Sequence, residues 1–150
     1  MGTFGTHTLR IANTSTPTEC STEGFSGTAC GFVLEFADLV TLHVMNSEST
    51  NVGGWPASEM RTYINTDIYN AIPETIRNAI VETNVVSGHG NTTGEENFIS
   101  TDKLYLLSLK EIGISSTSDS ARDMSRVLDY YEINNSGVAG IKLRMWMIGG

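Results

Sequence analysis

Basic residues are scarce in this sequence, where nine lysines and arginines accompany seventeen aspartates and glutamates and the formal net charge is −8. An acidic chain repels phosphate backbones and the anionic inner leaflet of a membrane, so nucleic acid is not an expected partner. Long apolar runs are also lacking, and none approaches the ~20 residues that a bilayer-spanning helix requires. We therefore predict no membrane-spanning segment.

Recognisable catalytic motifs are absent as well. The sequence has no Gly-x-Ser-x-Gly elbow, no glycine-rich phosphate loop and no dinucleotide fingerprint, which excludes the enzyme classes that those motifs reveal. Its three histidines, His7, His43 and His89, lie far apart and in no triad or metal-ligand spacing. We expect His7 to lie in a frayed terminus and His43 to pack structurally. No cofactor and no metal are expected, and the balance of the sequence is against catalysis.

Small polar residues dominate what is present. Ser, Thr, Asn and Gly favour turns, loops and strands over helices, because their short side chains compete for backbone hydrogen bonds. Hydrophobic residues make up 39% of the chain, enough for residues 1–150 to form a single domain around one core. We predict an α+β fold with a mixed or antiparallel sheet and several short helices.

The two cysteines, Cys20 and Cys30, lie in a stretch rich in Thr, Ser and Gly. A pair that closes a polar loop is typical of an oxidising compartment. A disulfide closing a loop of about ten residues would contribute ~2–3 kcal/mol. Two unpaired thiols are the alternative, whereas the spacing does not suit zinc. We predict a Cys20–Cys30 disulfide and an extracellular or cell-surface location.

Alternating and β-branched segments predict the strands, and capping residues predict the helices. Strands are expected over residues 8–12, 32–36, 81–86 and 103–107. After Phe36, apolar residues at helical spacing favour a helix over 38–45 against a continued strand. Pro56 and Ser58 mark the clearest helix start, and Ser108 with Glu111 forms a capping box that predicts a brief helix. Further helices are expected over 73–80, with Ile72, Ile76, Ala79 and Ile80 as an apolar stripe, and over 122–132.

Three residues are candidates for ligand binding. Trp55 and Tyr69 belong to an aromatic cluster that also contains Tyr63, and aromatic faces stack on sugar rings. Tyr63 is expected in the core. His89 is flanked by glycines, which would allow a ligand to approach the backbone. The acidic pair Glu95 and Glu96 follows this loop but does not form an EF-hand pattern.

Three motifs carry a family resemblance: GGWPxSExRxYxN at 53–65, STDKLYLLSxxE at 100–111 and LDYY at 128–131. In this order they resemble an uncharacterised bacterial domain family of secreted and surface-anchored proteins, many from gut bacteria, over residues 9–133. The resemblance implies a module of a longer exported protein, with a C-type-lectin-like architecture by analogy. The tail at 134–150 diverges where relatives carry closing strands. Either those strands are missing, leaving an open sheet edge prone to self-association, or the tail supplies a substitute.

Three functional hypotheses follow. The first is an extracellular module that binds a glycan or a surface protein without catalysis. The second is a structural or assembly domain of a larger surface protein, in which the motifs only build the fold. The third is a hydrolase-like enzyme that uses His89 with Glu95 or Glu96.

Overall fold

The structure is a computed structural model that describes residues 1–89, 96–114 and 123–134. Its strands are β1 (Leu9–Asn13), β2 (Val33–Phe36), β3 (Thr83–Ser87) and β4 (Phe98–Asp102). Its helices are α1 (Gly54–Ala57), α2 (Glu59–Tyr63), α3 (Tyr69–Ala71), α4 (Glu74–Arg77) and α5 (Asp129–Ile133). A π-helical segment, Ile64–Ile68, joins α2 to α3, and 3₁₀ turns lie at Gly2–Phe4, Thr18–Ser21 and Gly27–Ala29. Short helices and antiparallel strands confirm the predicted α+β class.

The strands form two separate antiparallel pairs, β1 with β2 and β3 with β4. In the first pair Leu9 lies opposite Phe36, and a bulge interrupts the register between Ile11 and Asn13. In the second pair Thr83 lies opposite Asp102. Three of the four predicted strands are therefore confirmed to within two or three residues.

Two apolar cores lie on opposite faces of the β1–β2 sheet, because side chains alternate between the faces of a strand. One core contains Phe36 and the apolar stripe of the α2–α3 helix, and its members are Phe36, Val40, Met60, Ile64, Ile68, Ile72 and Leu104. The other contains Ala12, Ala29, Val33, Ile112, Leu128 and Tyr131. The small sheet thus separates the helical half of the fold from the half that carries α5.

The capping residues behave as the sequence predicts. Ser58 Oγ accepts a hydrogen bond of 3.1 Å from the Arg61 N–H and caps α2. Glu111 N–H donates to Ser108 Oγ at 3.2 Å, and Ser108 N–H donates to Glu111 Oε2 at 2.7 Å. This reciprocal pair is the predicted capping box, although it closes a turn instead of a regular helix.

The predicted helix over 38–45 is wrong, since this segment has no regular secondary structure. Val40 is buried, but Leu42 and Val44 are exposed, so the apolar spacing does not mark a continuous buried face. The end of the segment is held by a different partner, because the Met60 N–H donates to the Met45 carbonyl at 3.0 Å.

The predicted strand over 103–107 is also wrong, and the strand lies earlier, at Phe98–Asp102. Leu104 and Tyr105 are buried as their apolar character suggests. The Asn65 side chain bonds both the N–H and the carbonyl of Leu104, at 3.0 and 2.8 Å. A side-chain amide therefore replaces the neighbouring strand that this backbone would otherwise need.

The predicted helix over 122–132 is wrong in extent, because among the described residues only Asp129–Ile133 is helical. The Leu128 N–H donates to the Glu111 carbonyl at 2.9 Å, so the preceding residues pair with the capping-box turn. His7 is not frayed either. Its side chain is 8% exposed, and its ring bonds both Asp38 and the Phe4 carbonyl.

The predicted disulfide is present, with Cys20 and Cys30 bonded and their Cα atoms 6.0 Å apart. It links the 3₁₀ turn Thr18–Ser21 to the residue that follows Gly27–Ala29. Within the described ranges, every helix is too short or too polar to cross a bilayer.

Gly54 provides a test of packing at the start of α1. Its φ is +57°, and a Cβ added there would lie 2.4 Å from the Phe98 ring. Gly54→Ala is therefore expected to lower the free energy of unfolding by ~1–3 kcal/mol beyond the cost of backbone strain. Gly24→Ala is the matched control, because Gly24 has φ +78° with no atom within 4 Å of an added Cβ. Urea denaturation compares the free energies of unfolding of the two variants. Equal losses of stability would show that the Phe98 ring moves aside freely.

Candidate functional site

An apolar groove lies between the β1–β2 sheet and α4. Its volume is about 300 Å³, at the lower end of the range for ligand pockets. The sheet contributes Leu9, Leu34 and Phe36, together with the adjoining Phe32. The opposite wall comes from residues on and around α4, and these are Ile72, Pro73, Ile76, Ala79 and Ile80. The sequence therefore predicts both elements that form the groove, but it does not predict the space between them.

The groove exists because the apolar stripe of α4 is only partly covered. Ile72 is buried in the helical core, whereas Ile76 is 40% exposed. On the sheet side Phe32 is 57% exposed and Ile11, next to Leu9 on the same face, is 53% exposed. A contiguous set of exposed apolar side chains is typical of a binding surface.

Polar chemistry is nearly absent from the groove. Thr6 and His7 are the only residues with polar side chains among its described lining residues. Both ring nitrogens of His7 are engaged, one with Asp38 at 2.7 Å and the other with the Phe4 carbonyl. The hydrogen bond from His7 lowers the pKa of the Asp38 carboxyl. The described walls of the groove can therefore bury apolar groups and offer few polar contacts.

The predicted aromatic candidates are engaged within the fold. The Trp55 indole N–H donates to Asp102 Oδ2 at 2.9 Å. The Tyr69 hydroxyl accepts from Lys103 Nζ at 2.9 Å, and the Arg77 guanidinium lies 5.9 Å from the centre of its ring. Neither aromatic side chain lines the apolar groove. Of the other aromatic residues, Tyr63 stacks on His43 at 3.9 Å, which agrees with a packing role for both.

His89 is half-buried, and its Nδ1 is buried without a hydrogen-bond partner in the described part of the chain. Of its two candidate carboxylate partners, Glu96 is exposed and Glu95 lies outside the described residues. His89 is not among the groove residues. Across the described ranges, no group of three His, Cys, Asp or Glu side chains is arranged to hold a metal ion.

The motif residues form hydrogen-bonded networks around buried carboxylates. The first network surrounds Asp102, which accepts from Trp55, from Ser100 Oγ at 2.7 Å and from Arg61 Nε at 2.6 Å. Arg61 also donates to the Pro56 carbonyl at 3.2 Å. This network joins the motif at 53–65 to the motif at 100–111.

A second network surrounds Glu111, whose side chain is fully buried. Its carboxylate accepts from the Thr28 hydroxyl, from Ser125 Oγ at 2.6 Å and from the Ser108 N–H. Burial raises the pKa of Glu111, against the opposing effect of these hydrogen bonds. Thr28 and Ser125 lie outside the three motifs, and no feature of the sequence identifies them as partners of Glu111.

A third network joins β1 and β2 to the motif at 128–131. Glu35 is buried, forms an ion pair with Arg10 and accepts from the Tyr131 hydroxyl at 2.7 Å. The Arg10 guanidinium lies 3.9 Å from the centre of the Tyr130 ring. Burial raises the pKa of Glu35, although its partners oppose this shift. All three networks connect distant segments, so the motif side chains within them stabilise the fold.

The comparison with known families is consistent with an uncharacterised domain family. A model for a domain of unknown function, DUF6273, matches residues 32–146. The chain belongs to this family. The DUF6273 match begins after the first strand and extends beyond the motifs to residue 146. No curated protein and no solved structure matches the chain significantly, so the likeness to C-type lectins stays a prediction.

Replacing the buried carboxyl of Glu111 tests its raised pKa. The protonated acid is favoured on folding, so its contribution to stability is complete below the unfolded pKa and is lost as pH rises through the folded pKa. Glu111→Gln stays neutral, and its amide can donate to the two hydroxyls, which can rotate to accept. We therefore expect urea denaturation at pH 5 and pH 8 to give a smaller loss of stability with rising pH in this variant than in wild type.

Glu48→Gln is the control for this experiment, because Glu48 is exposed. Its pH dependence should equal that of wild type. Glu35, whose pKa is also raised, adds the same loss of stability with rising pH to wild type and to both variants. An unchanged pH dependence in Glu111→Gln would show that the buried carboxyl is not the group that titrates.

Proposed function

We propose that this DUF6273 domain is a non-catalytic module of an extracellular or cell-surface protein, and that it binds a protein partner through the apolar groove. The observation that carries the proposal is the groove, a cavity of about 300 Å³ with almost exclusively apolar walls. Exposed Phe32 and Ile76 at its rim would lose their contact with water on binding, which favours association.

A protein partner suits the groove better than a glycan. Sugars need several hydrogen-bonding groups, whereas the polar side chains among the described lining residues of the groove are Thr6 and an already bonded His7. Trp55 and Tyr69, the predicted sugar-stacking residues, are held by Asp102 and Lys103. Apolar side chains of a protein segment require only burial.

An extended segment is the partner that fits this site. Within the described ranges β1 and β2 pair only with each other, so each strand has an outer edge that no described strand covers. An added strand would bond one of these edges and direct every second side chain into the groove. The Cys20–Cys30 disulfide and the resemblance to exported proteins support an extracellular setting.

A structural role in a larger surface protein is the second candidate. The observation that favours it is the use of Asp102, Glu111 and Glu35 to join distant segments, which accounts for the motif residues without any ligand. The two candidates differ in whether an isolated, folded domain binds a protein segment at the groove.

Selection of a displayed random-peptide library on the disulfide-intact protein tests the proposal. The enriched peptides should alternate apolar with polar residues, and Ile76→Asp should weaken their binding at least about tenfold, because it places a charge in the apolar groove. Val52→Asp is the matched control, since Val52 is an 82% exposed apolar residue outside the groove. Circular dichroism confirms that both variants fold.

Three outcomes would contradict the proposal, and each points to a different alternative. A glycan array that gives binding sensitive to Trp55→Ala or Tyr69→Ala would replace the protein partner with a sugar. Peptides that bind Ile76→Asp as tightly as wild type would place the site elsewhere. Selection that enriches no peptide would favour the structural role.

A further inference from the structure

The first residues of the chain supply a further wall of the apolar groove. Met1, Gly5, Thr6 and His7 line the groove and together form this N-terminal wall. We propose that the N-terminal wall is held in place only while both ring nitrogens of His7 carry a proton, so that the groove is complete in weak acid and loses this wall as pH rises. The inference adds regulation to the site of the proposed function and, where it concerns binding, rests on that function.

His7 joins the N-terminal wall to the segment that follows β2. Its Nδ1 lies 2.7 Å from Asp38 Oδ2, and its Nε2 bonds the Phe4 carbonyl. The ring also packs edge-to-face on Phe36 of β2, with the two ring centroids 5.9 Å apart. Because the His7 side chain is only 8% exposed, water has little access to replace these partners. This bridge therefore ties the turn Gly2–Phe4 to the sheet.

The two partners of His7 determine how many protons its ring must carry. A carbonyl oxygen only accepts hydrogen bonds, and so does an ionised carboxylate. The hydrogen bond from His7 holds the pKa of Asp38 below its usual range, so this carboxyl is ionised in weak acid. A neutral imidazole has one N–H donor, whereas an imidazolium has two. Both contacts therefore exist together only in the charged ring, and one of them is lost when the ring becomes neutral.

The charged groups of the turn and of α4 have other partners. The amino group of Met1 donates to the Gly5 carbonyl at 2.7 Å. Arg77 of α4 donates to a backbone carbonyl at 3.1 Å. Neither Arg77 nor Glu74 lines the groove. Among the described residues of these two elements, no charged side chain therefore competes with Asp38 for the His7 ring.

The sheet and α2 contribute two further titratable pairs. Arg10 and Glu35 form an ion pair on the face of the sheet that lies away from the groove, because they alternate with the groove-lining residues of β1 and β2. His43 stacks on Tyr63 with ring centroids 3.9 Å apart, and Tyr63 in turn packs on Phe4. The charge of His43 acts on the wall only through Tyr63, so a test of His7 must control for it.

Loss of the bridge would release the turn but not the strand that follows it. The Thr8 N–H donates to Asp38 Oδ1 at 3.2 Å, and the Thr8 carbonyl accepts from the Ala37 N–H at 2.8 Å. The turn itself packs on the helical core through the edge-to-face contact of Phe4 with Tyr63. A short 3₁₀ turn has little stability of its own. A partner that must order the wall on binding loses affinity, so binding should be tighter in weak acid.

Nuclear magnetic resonance of the full, disulfide-intact chain at pH 5 and pH 8 tests this inference, because histidine changes its charge between about these values. At pH 5 the ¹⁵N shifts of His7 should show two protonated ring nitrogens, and a nuclear Overhauser effect should join the rings of Phe4 and Tyr63. At pH 8 this effect should be lost. The contact between the Tyr130 and Tyr131 rings, which do not line the groove, is the internal reference and should persist at both pH values.

Asp38→Asn separates the proton count from a purely structural role. The amide of this variant can donate to an unprotonated Nδ1 of His7 while Nε2–H donates to the Phe4 carbonyl, so the neutral ring makes both contacts. The Phe4–Tyr63 effect should therefore persist at pH 8 in Asp38→Asn. His7→Gln has no titrating ring, and its Phe4–Tyr63 effect should be the same at both pH values.

His43→Gln and His89→Gln are the matched controls, because they replace the other two histidines and leave the bridge intact. Both should keep the pH dependence of wild type. Equal Phe4–Tyr63 effects at the two pH values in wild type would overturn the inference, as would loss of the effect at pH 8 in Asp38→Asn. A pH dependence that disappears in His43→Gln would assign control of the wall to His43 and overturn it too. His7→Gln keeps the test decisive if Asp38→Asn does not fold.

The spectra need no partner, so this inference and the proposed function can fail separately. If peptide selection enriches no sequence, the proposed function is wrong, while the spectra still decide whether His7 holds the wall. Selected peptides without histidine should bind wild type at least about threefold more tightly at pH 5 than at pH 8, and Asp38→Asn equally at both. Equal binding to wild type at both pH values would leave the proposed function standing and overturn its control by His7.

Discussion

The hydrogen bonds to the fully buried carboxylate of Glu111 are the constraint on which this fold most depends. They connect the turn at Ser108, the 3₁₀ turn that contains Thr28 and the irregular segment at Ser125, three places that no pairing between the described strands joins. A buried carboxyl without partners would cost several kcal/mol, so each of these contacts is needed once the group is inside. Because two-stranded sheets are only marginally stable alone, side-chain networks of this kind take over the role that a larger sheet plays in other domains.

Elsewhere in the molecule, too, side-chain hydrogen bonds take the place of regular secondary structure. Asn65 bonds both backbone groups of Leu104, and Asp102 gathers donors from two motifs. Sequence motifs of this specificity are often taken to mark an active site, yet here their polar side chains are bonded to one another inside the protein. The apolar groove, by contrast, leaves apolar side chains in contact with water. Of its described lining residues, Leu104 alone belongs to one of the three motifs.

Local signals predicted local structure well. Alternation identified β1, β2 and β3, and the hydroxyls of Ser58 and Ser108 cap the turns that follow them. The errors arose where a distant side chain decides the outcome, as when Asn65 removes the need for a strand at Leu104. The groove was missed for a related reason. The stripe on α4 reveals that one face is apolar, but whether another element covers Ile76 depends on the tertiary arrangement.

The near absence of polar groups in the groove determines how binding there can be controlled. Burial of apolar surface is non-directional, so many alternating apolar segments satisfy it and affinity alone gives little selectivity. A partner that also bonds the outer edge of the sheet would be selected over one that only fills the groove. Selectivity would arise from the outer edge of the β1–β2 sheet, while the groove supplies the driving force.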